Sequence, residues 1–383
     1  VRHARRSKPT MHLTPRVSPV FSTARATVLR WVAVALCVSV ATTACAKPSA
    51  RYTRKQAQAS ISRLEAPGLE LGEFRLTKVV DGDTIRVDGL DASMRLIALD
   101  AEETFKSEKD RRAFEAGWEQ YQAQKRGNSP RPVKSATPLG EDAKKWADEF
   151  FKGVTTVRLE RDVATEIRDR FNRYLAYVFI KRGDQWINFN VEAVRAGMSP
   201  YFMKYGYSKR FHDQFVAAEK EAQAAQRGIW APGAMAYADY PERYAWWDAR
   251  ARFIAEFDAA AKDKPNHFAV TQWDLLAKLE GFIGKEVTLL GTIGDIHLDR
   301  GPIRVMLSRR LHSDFPLIFF DRDVYGTSGV AQWKGEFITV TGMVTEYTNK
   351  HTGKKTLQIQ VDRPSQIRLS QIPGLTPPVS TAK

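Results

Sequence analysis

Beyond its first 45 residues the chain contains no cysteine; Cys37 and Cys45 are the only two. The body therefore forms no disulfide and offers no thiolate to a metal, so any metal it holds is bound by oxygen or imidazole. That favours hard cations such as calcium. Histidines stand scattered at positions 3, 12, 212, 267, 297, 312 and 351, without the His-Glu-x-x-His spacing of a zinc protease. Walker and Gly-rich nucleotide-binding motifs are missing too, which leaves nucleotide-driven chemistry without support. Residues 1–45 also lack any Asp or Glu.

What the chain does contain is a globular composition: 383 residues, 43% hydrophobic, 11% aromatic and 27% charged. That length allows two or three domains and excludes collagen, long coiled coil and wholesale disorder. The net charge of +15 is unevenly spread. Arg2, Arg5, Arg6, Lys8, Arg16, Arg25 and Arg30 precede residue 46, leaving 52 Lys+Arg against 44 Asp+Glu, or +8, for the rest. The body is only mildly basic.

Basic residues followed by the uncharged run Trp31–Ala41 and the small-residue exit Thr42-Thr-Ala-Cys-Ala46 have the layout of an export signal. The run is too short for a transmembrane helix, which needs about 20 apolar residues. Met11 is a candidate true start. Two exits compete: Ala44-Cys-Ala46 resembles a peptidase site, and Thr42–Cys45 resembles a lipid-attachment box with Thr42 where Leu is usual. A lipid anchor at Cys45, and a secreted or cell-envelope location, are the corresponding expectations. Residues 46–72, with Pro48, Pro67 and Gly68, read as a tether.

The body reads as β-rich α+β. Strands are expected at Phe74–Val80, Ile85–Val87, Met94–Leu99, Thr156–Glu160 and Tyr174–Ile180, with Asp81-Gly-Asp83 as a hairpin turn. Helical spacing marks Gly140–Phe151 and Ser208–Gln226. Five strands with interleaved helices over residues 73–230 fit an OB-type barrel with capping helices. A helical bridge over 231–265 leads to a second, smaller OB-like barrel over 266–370, and 371–383 reads as an unstructured tail. In the Leu317–Phe320 strand, Phe319 and Phe320 are both expected in the core. Arg309, Arg310, Tyr347, Lys350, Lys354 and Lys355 give the second barrel side chains for nucleic acid, with protein docking about as well supported.

Four acidic residues fall at the ends of consecutive strands: Asp81, Asp83, Asp100 and Glu103. Antiparallel pairing brings such ends together, so Asp83 and Asp100 can share one cation of the calcium type. Arg95 lies within the third strand and Arg173 opens a later one. Two guanidiniums, a hard metal and a spare carboxylate are the parts that phosphodiester cleavage requires.

Three segments carry a resemblance: Lys78-Val-Val-Asp-Gly-Asp-Thr-Ile-Arg-Val87, Arg95-Leu-Ile-Ala-Leu-Asp-Ala-Glu-Glu103 and Asp169-Arg-Phe-Asn-Arg-Tyr-Leu-Ala-Tyr177. With Gln226-Arg-Gly-Ile-Trp230, they make residues 74–230 resemble the thermonuclease (staphylococcal-nuclease-like) family. The resemblance implies a catalytic trio of Arg95, Glu103 and Arg173. It implies Ca²⁺ held by Asp83, Asp100 and the backbone carbonyl of Ala101. It further implies hydrolysis of DNA and RNA leaving 3′-phosphate ends. The sequence departs from the family at Ala101, where Thr is typical, at Glu102, which replaces Pro and is expected to loosen the turn carrying Glu103, and at Phe171, where a phosphate-contacting Tyr is common.

Residues 106–138 exceed the family's usual length. They read as a lid over the active face or, more plainly, as a solvated excursion, since Arg111, Arg112, Lys125, Arg126, Arg131 and Lys134 are offset by Glu108, Asp110, Glu115 and Glu119. The rival to an exported nuclease is a catalytically silent nucleic-acid- or protein-binding module built from two barrels. A pure binder has little reason to retain Arg95, Glu103, Arg173, Asp83 and Asp100 together.

Overall fold

The computed structural model describes residues 64–298, 301–310 and 312–376. The export segment, Cys45, residues 46–63 of the tether and the end of the tail from 377 lie outside the described residues.

Strands β1 (Glu70–Asp81), β2 (Thr84–Val87) and β3 (Met94–Leu96) form a meander. Helices α1 (Glu108–Ala116), α2 (Trp118–Arg126) and α3 (Pro138–Phe150) follow, then β4 (Thr156–Glu160), β5 (Tyr174–Arg182) and β6 (Gln185–Asn188). β1 pairs antiparallel with β4, and β4 with β5. β5 returns parallel to β3 and closes a five-stranded barrel in the order 1-2-3-5-4, with β6 outside the ring. Inward side chains such as Ile85, Met94, Leu96, Val157, Leu159, Ala176 and Val178 fill it. Each is buried because alternate residues of a strand share one face.

Helices α4 (Phe189–Arg195) and α5 (His212–Ala224) cap this barrel, α5 through Phe215, Ala218 and Ala222. The 22-residue helix α6 (Tyr240–Ala261) then leads to β7 (His267–Ala269) and α7 (Leu275–Glu280). The second barrel comprises β8 (Glu286–His297), β9 (Ile303–Ser308), β10 (Phe315–Phe319), β11 (Phe337–Thr348) and β12 (Lys355–Gln360), with α8 (Arg322–Ser328) after β10 and β13 (Ile367–Leu369) on its rim. Its ring order is 8-9-10-12-11, with β10 and β12 parallel. The chain thus contains two closed five-stranded barrels of the same topology within a mixed α+β fold.

Helix α6 buries side chains toward both barrels, because it lies between them, while Glu242, Arg252, Glu256 and Asp258 stay exposed. Trp246, Trp247, Ala249 and Ala251 enter the first core, while Phe253, Ile254 and Phe257 pack on Leu290 and Phe337 of the second. Buried Arg250 pairs with buried Glu336, whose carboxylate also accepts from Trp246 Nε1 at 2.9 Å.

Several expectations are corrected. Within the expected tail, Ile372 is buried in the first core, and of the expected tether Leu64 is buried there and Glu70–Gly72 already belong to β1. Phe320 is 63% exposed, because β10 ends at Phe319 and the next side chain turns outward; Phe319 alone is core. Residues 106–138 are not a solvated excursion. Helix α1 is solvated, but Tyr121 of α2 and residues 135–137 are buried. Phe114, Trp118 and Tyr121 of the insertion cluster with Phe105 just before it. The offsetting charges read from the sequence are largely spent on fixed pairs, such as Lys125 with Asp110 and Arg126 with Glu242.

Candidate active site

Asp81 and Thr84 close the β1–β2 hairpin, leaving Gly82 and Asp83 as its two-residue turn. Gly82 has no room for a side chain: a Cβ there would meet the Ala101 Cβ at 2.8 Å and the Ala143 Cβ at 3.0 Å. The hairpin tip, the segment after β3 and helix α3 are therefore packed together through small residues. Register places Thr84 opposite Arg95, so Asp83 stands beside the guanidinium. Arg95 Nη1 pairs with Asp83, and Nη2 donates to the Leu99 carbonyl at 2.8 Å and to Asp100 Oδ1 at 2.7 Å. Ala98, at φ +61°, turns the chain back after β3 so that this return is possible. The backbone N–H of Asp100 donates to Ser199 Oγ at 2.9 Å, fixing the far side.

Arg95 thus gathers Asp83 and Asp100, both almost fully buried, into one network. Burial alone would push the Asp83 carboxyl up, but the charges of Arg95 and Lys134 outweigh it and hold it below the usual range. Asp81, partly buried and facing the Asp83 charge, is pushed up to about 6 by desolvation and then by that charge. The Arg95 guanidinium is held more basic than usual by the two aspartates, against the opposing effect of burial.

Glu103 sits three residues on, its side chain 36% exposed and open to water. Lys106 Nζ pairs with it at 3.0 Å, and Lys134 Nζ lies at 3.7 Å. Its backbone is fixed from the insertion's exit: Thr137 N donates to the Glu103 carbonyl at 2.9 Å. The adjacent Glu102 does the reverse of loosening this turn. Buried, it accepts from Thr137 Oγ1 at 2.5 Å, from the Tyr237 N–H at 2.8 Å and from Tyr240 Oη at 2.8 Å. A proline there would supply no such acceptor. Burial still raises the Glu102 carboxyl above its ordinary pKa, although these donors oppose the shift.

Arg173 is placed next to β3 by the parallel β3–β5 pairing, but its guanidinium is held by Asp169 Oδ2 at 2.7–2.8 Å rather than by the Asp83–Asp100 network. Phe171 is 64% exposed, with the Arg170 and Arg173 guanidiniums 5.3 and 5.5 Å from its ring centre. Of the second-barrel candidates, Arg309 is buried and binds the Trp273 carbonyl, so it is structural; Lys355 pairs with Glu346; Tyr347 is half-exposed.

Sequence reasoning assigned Lys134 only to the charge balance of the insertion. In the structure its ammonium lies 2.5 Å from Asp100 Oδ1; desolvation at the carboxylates pulls its pKa down, but the Asp100 charge outweighs this and raises it, although the side chain as a whole is 38% exposed. Nothing local in the sequence signals this contact, which spans 34 residues and a non-repeating insertion.

Asp83, Asp100 and the Ala101 carbonyl offer only oxygen, which suits a hard cation. Among the described residues no three His, Cys, Asp or Glu side chains stand together as a metal cage. Two buried carboxylates fit calcium by chemistry, therefore, with the Lys134 ammonium resting on one of them.

Comparison with known proteins bears on residues 93–232, which match the staphylococcal nuclease homologue family model. A thermonuclease of Staphylococcus intermedius is 31% identical over 162 residues, covering 42% of this chain and 77% of the relative. A thermonuclease of Staphylococcus hyicus is 28% identical over 162 residues, covering 41% and 75%. An uncharacterised protein of Methanocaldococcus jannaschii is 30% identical over 164 residues, covering 41% and 70%.

Proposed function

The chain belongs to the staphylococcal nuclease homologue family, and we propose on that premise that it is a calcium-dependent nuclease hydrolysing phosphodiester bonds of DNA and RNA. The observation carrying this reading is the convergence of Asp83, Arg95 and Asp100 in one buried network, with solvent-open Glu103 beside it. Arg95 and Arg173 bind the scissile phosphate, Arg95 exchanging its aspartate partners and Arg173 exchanging Asp169 for phosphate oxygens. Glu103 takes a proton from water as its oxygen attacks phosphorus. The bond to the 5′ oxygen breaks with its electron pair going to that oxygen, which takes a proton from a solvent water, leaving a 3′-phosphate and a 5′-hydroxyl. Asp83, Asp100 and the Ala101 carbonyl would hold calcium, which would supply positive charge against the negative charge building on the phosphoryl oxygens. Exclusion of bulk water around Asp83 and Asp100 strengthens these interactions.

Residues 1–45, with their basic start and short apolar run, support export of this enzyme to the cell envelope or outside the cell, with lipid attachment at Cys45 as one form of it. The rival reading, a silent two-barrel binding module, draws its support from the Asp169 grip on Arg173. Plasmid digestion in Ca²⁺ and in EDTA separates them. Cleavage in Ca²⁺ with 3′-phosphate ends, lost in EDTA and in Asp83→Ala, is expected; DNA binding without cleavage would instead establish the silent module.

A further inference from the structure

Asp83 and Asp100 carry two negative charges, and two protein cations already face them: Arg95, which belongs to the barrel, and Lys134, which does not. Lys134 arrives on a strap anchored at alternate positions. Arg131 pairs with Glu336 of the second barrel at 3.3 Å and donates to the Pro373 carbonyl at 2.8 Å. The Val133 carbonyl accepts from Arg243 of α6 at 2.6 Å, and the Ser135 N–H donates to Tyr237 Oη at 3.0 Å. Thr137 ends the strap on Glu102. With its neighbours fixed to α6 and the second barrel, the intervening lysine is directed at the first barrel's carboxylates.

We propose that Lys134 is a tethered cation occupying the metal-binding face of Asp100, so that a divalent ion binds only by displacing its ammonium. The proposal rests on the calcium reading above. Lys134 Nζ touches one of the two carboxylates a metal would use and lies within 3.7 Å of Glu103. A divalent ion entering with the ammonium in place would meet like charge beside two almost fully buried carboxylates, where repulsion is less screened than in bulk water. Removal of the metal likewise leaves Asp100 paired, so the buried carboxylate stays neutralised without it. The second barrel and α6, by holding the strap, set how tightly calcium binds.

The test is Ca²⁺ binding to the full chain by isothermal titration calorimetry, with the calcium-induced shift in melting temperature as a second readout. Lys134→Met is expected to tighten Ca²⁺ binding by about tenfold or more, the order expected when one facing like charge is lost. Lys134→Arg, which keeps the charge, and Lys109→Met, which makes the same charge change on exposed α1, should stay within about twofold of the wild type. Equal Ca²⁺ affinity in wild type and Lys134→Met overturns the displacement and leaves the calcium reading standing. Absence of binding in both overturns the calcium reading along with it. Should Lys134→Met fail to fold, Lys134→Gln replaces it; failure of both makes the lysine a structural counter-ion and overturns the proposal.

Discussion

Helix α3 passes so close to the turn carrying Glu103 that Gly140 has no space for a methyl group: a Cβ there would meet the Glu103 carbonyl oxygen at 2.1 Å. The Gly140 N–H also donates to Thr137 Oγ1, the side chain that caps α3 and holds Glu102. One glycine thus couples the helix start, the end of the insertion and the turn.

Gly140→Ala is therefore expected to destabilise the protein by about 1–3 kcal/mol, the usual penalty of overpacking, and to displace Glu103. Denaturant unfolding reads the first effect and single-turnover cleavage the second. An unchanged cleavage rate would show that Glu103 tolerates displacement.

Glu103→Gln keeps the side chain's size but removes its basicity, which should lower cleavage by about 10²–10⁴. Binding to single-stranded DNA should be retained or slightly tighter, because a negative charge near the phosphate is gone. A mutant cleaving at the wild-type rate would exclude Glu103 from the chemistry.

Glu102→Ala strips three donors of their acceptor: Thr137 Oγ1, the Tyr237 N–H and Tyr240 Oη. A loss of about 3 kcal/mol in unfolding free energy is expected, since each buried unsatisfied group costs about 1–3 kcal/mol and relaxation recovers part. Glu102→Gln, which keeps an acceptor oxygen, should lose less. If the alanine variant unfolds at the wild-type midpoint, the anchor has no energetic weight.

Phe171→Tyr adds a hydroxyl to an exposed ring flanked by Arg170 and Arg173. A new charge-assisted hydrogen bond to phosphate contributes about 1.5–3 kcal/mol. Tighter nucleotide binding or faster cleavage should follow. No change in either would mean that this loop does not reach the substrate.

Glu166 lies where the barrels meet, accepting from Thr271 Oγ1 at 3.0 Å. Burial raises its pKa; Thr271 and Lys209 oppose the rise, while Asp162 and Asp258 add to it. The folded state therefore holds the Glu166 proton more tightly than the unfolded state does. Its stabilising contribution is full below the unfolded pKa and declines as pH rises through the folded one. Glu166→Gln should remove that decline, making the variant the more stable at neutral pH and the less advantaged in acid. Parallel pH–stability curves for the two proteins would refute this assignment.

Much of the first barrel and its acidic cluster could be read from residue order alone. An Asp-Gly turn between alternating apolar runs dictates a hairpin, and short-range register then brings Asp83 to Arg95 whatever lies elsewhere. The same local logic marked the second barrel over 266–370 and the helical bridge over 231–265 that contains α6. Short elements such as β6, β7, α7 and β13 escaped it, because three to six residues carry too little periodicity to register.

The strap's contacts were decided only by tertiary structure. Its charges look balanced along the sequence, yet their partners lie far away: Arg131 on Glu336, Arg126 on Glu242 and Lys134 on Asp100. Glu102 reads as the loss of a proline until Tyr237 and Tyr240 fold over it. Sequence pattern reports which face of a strand or helix is apolar, because that periodicity repeats every two or 3.6 residues. An ion pair across an insertion has no period, so its partners become identifiable only when packing brings them within hydrogen-bonding reach.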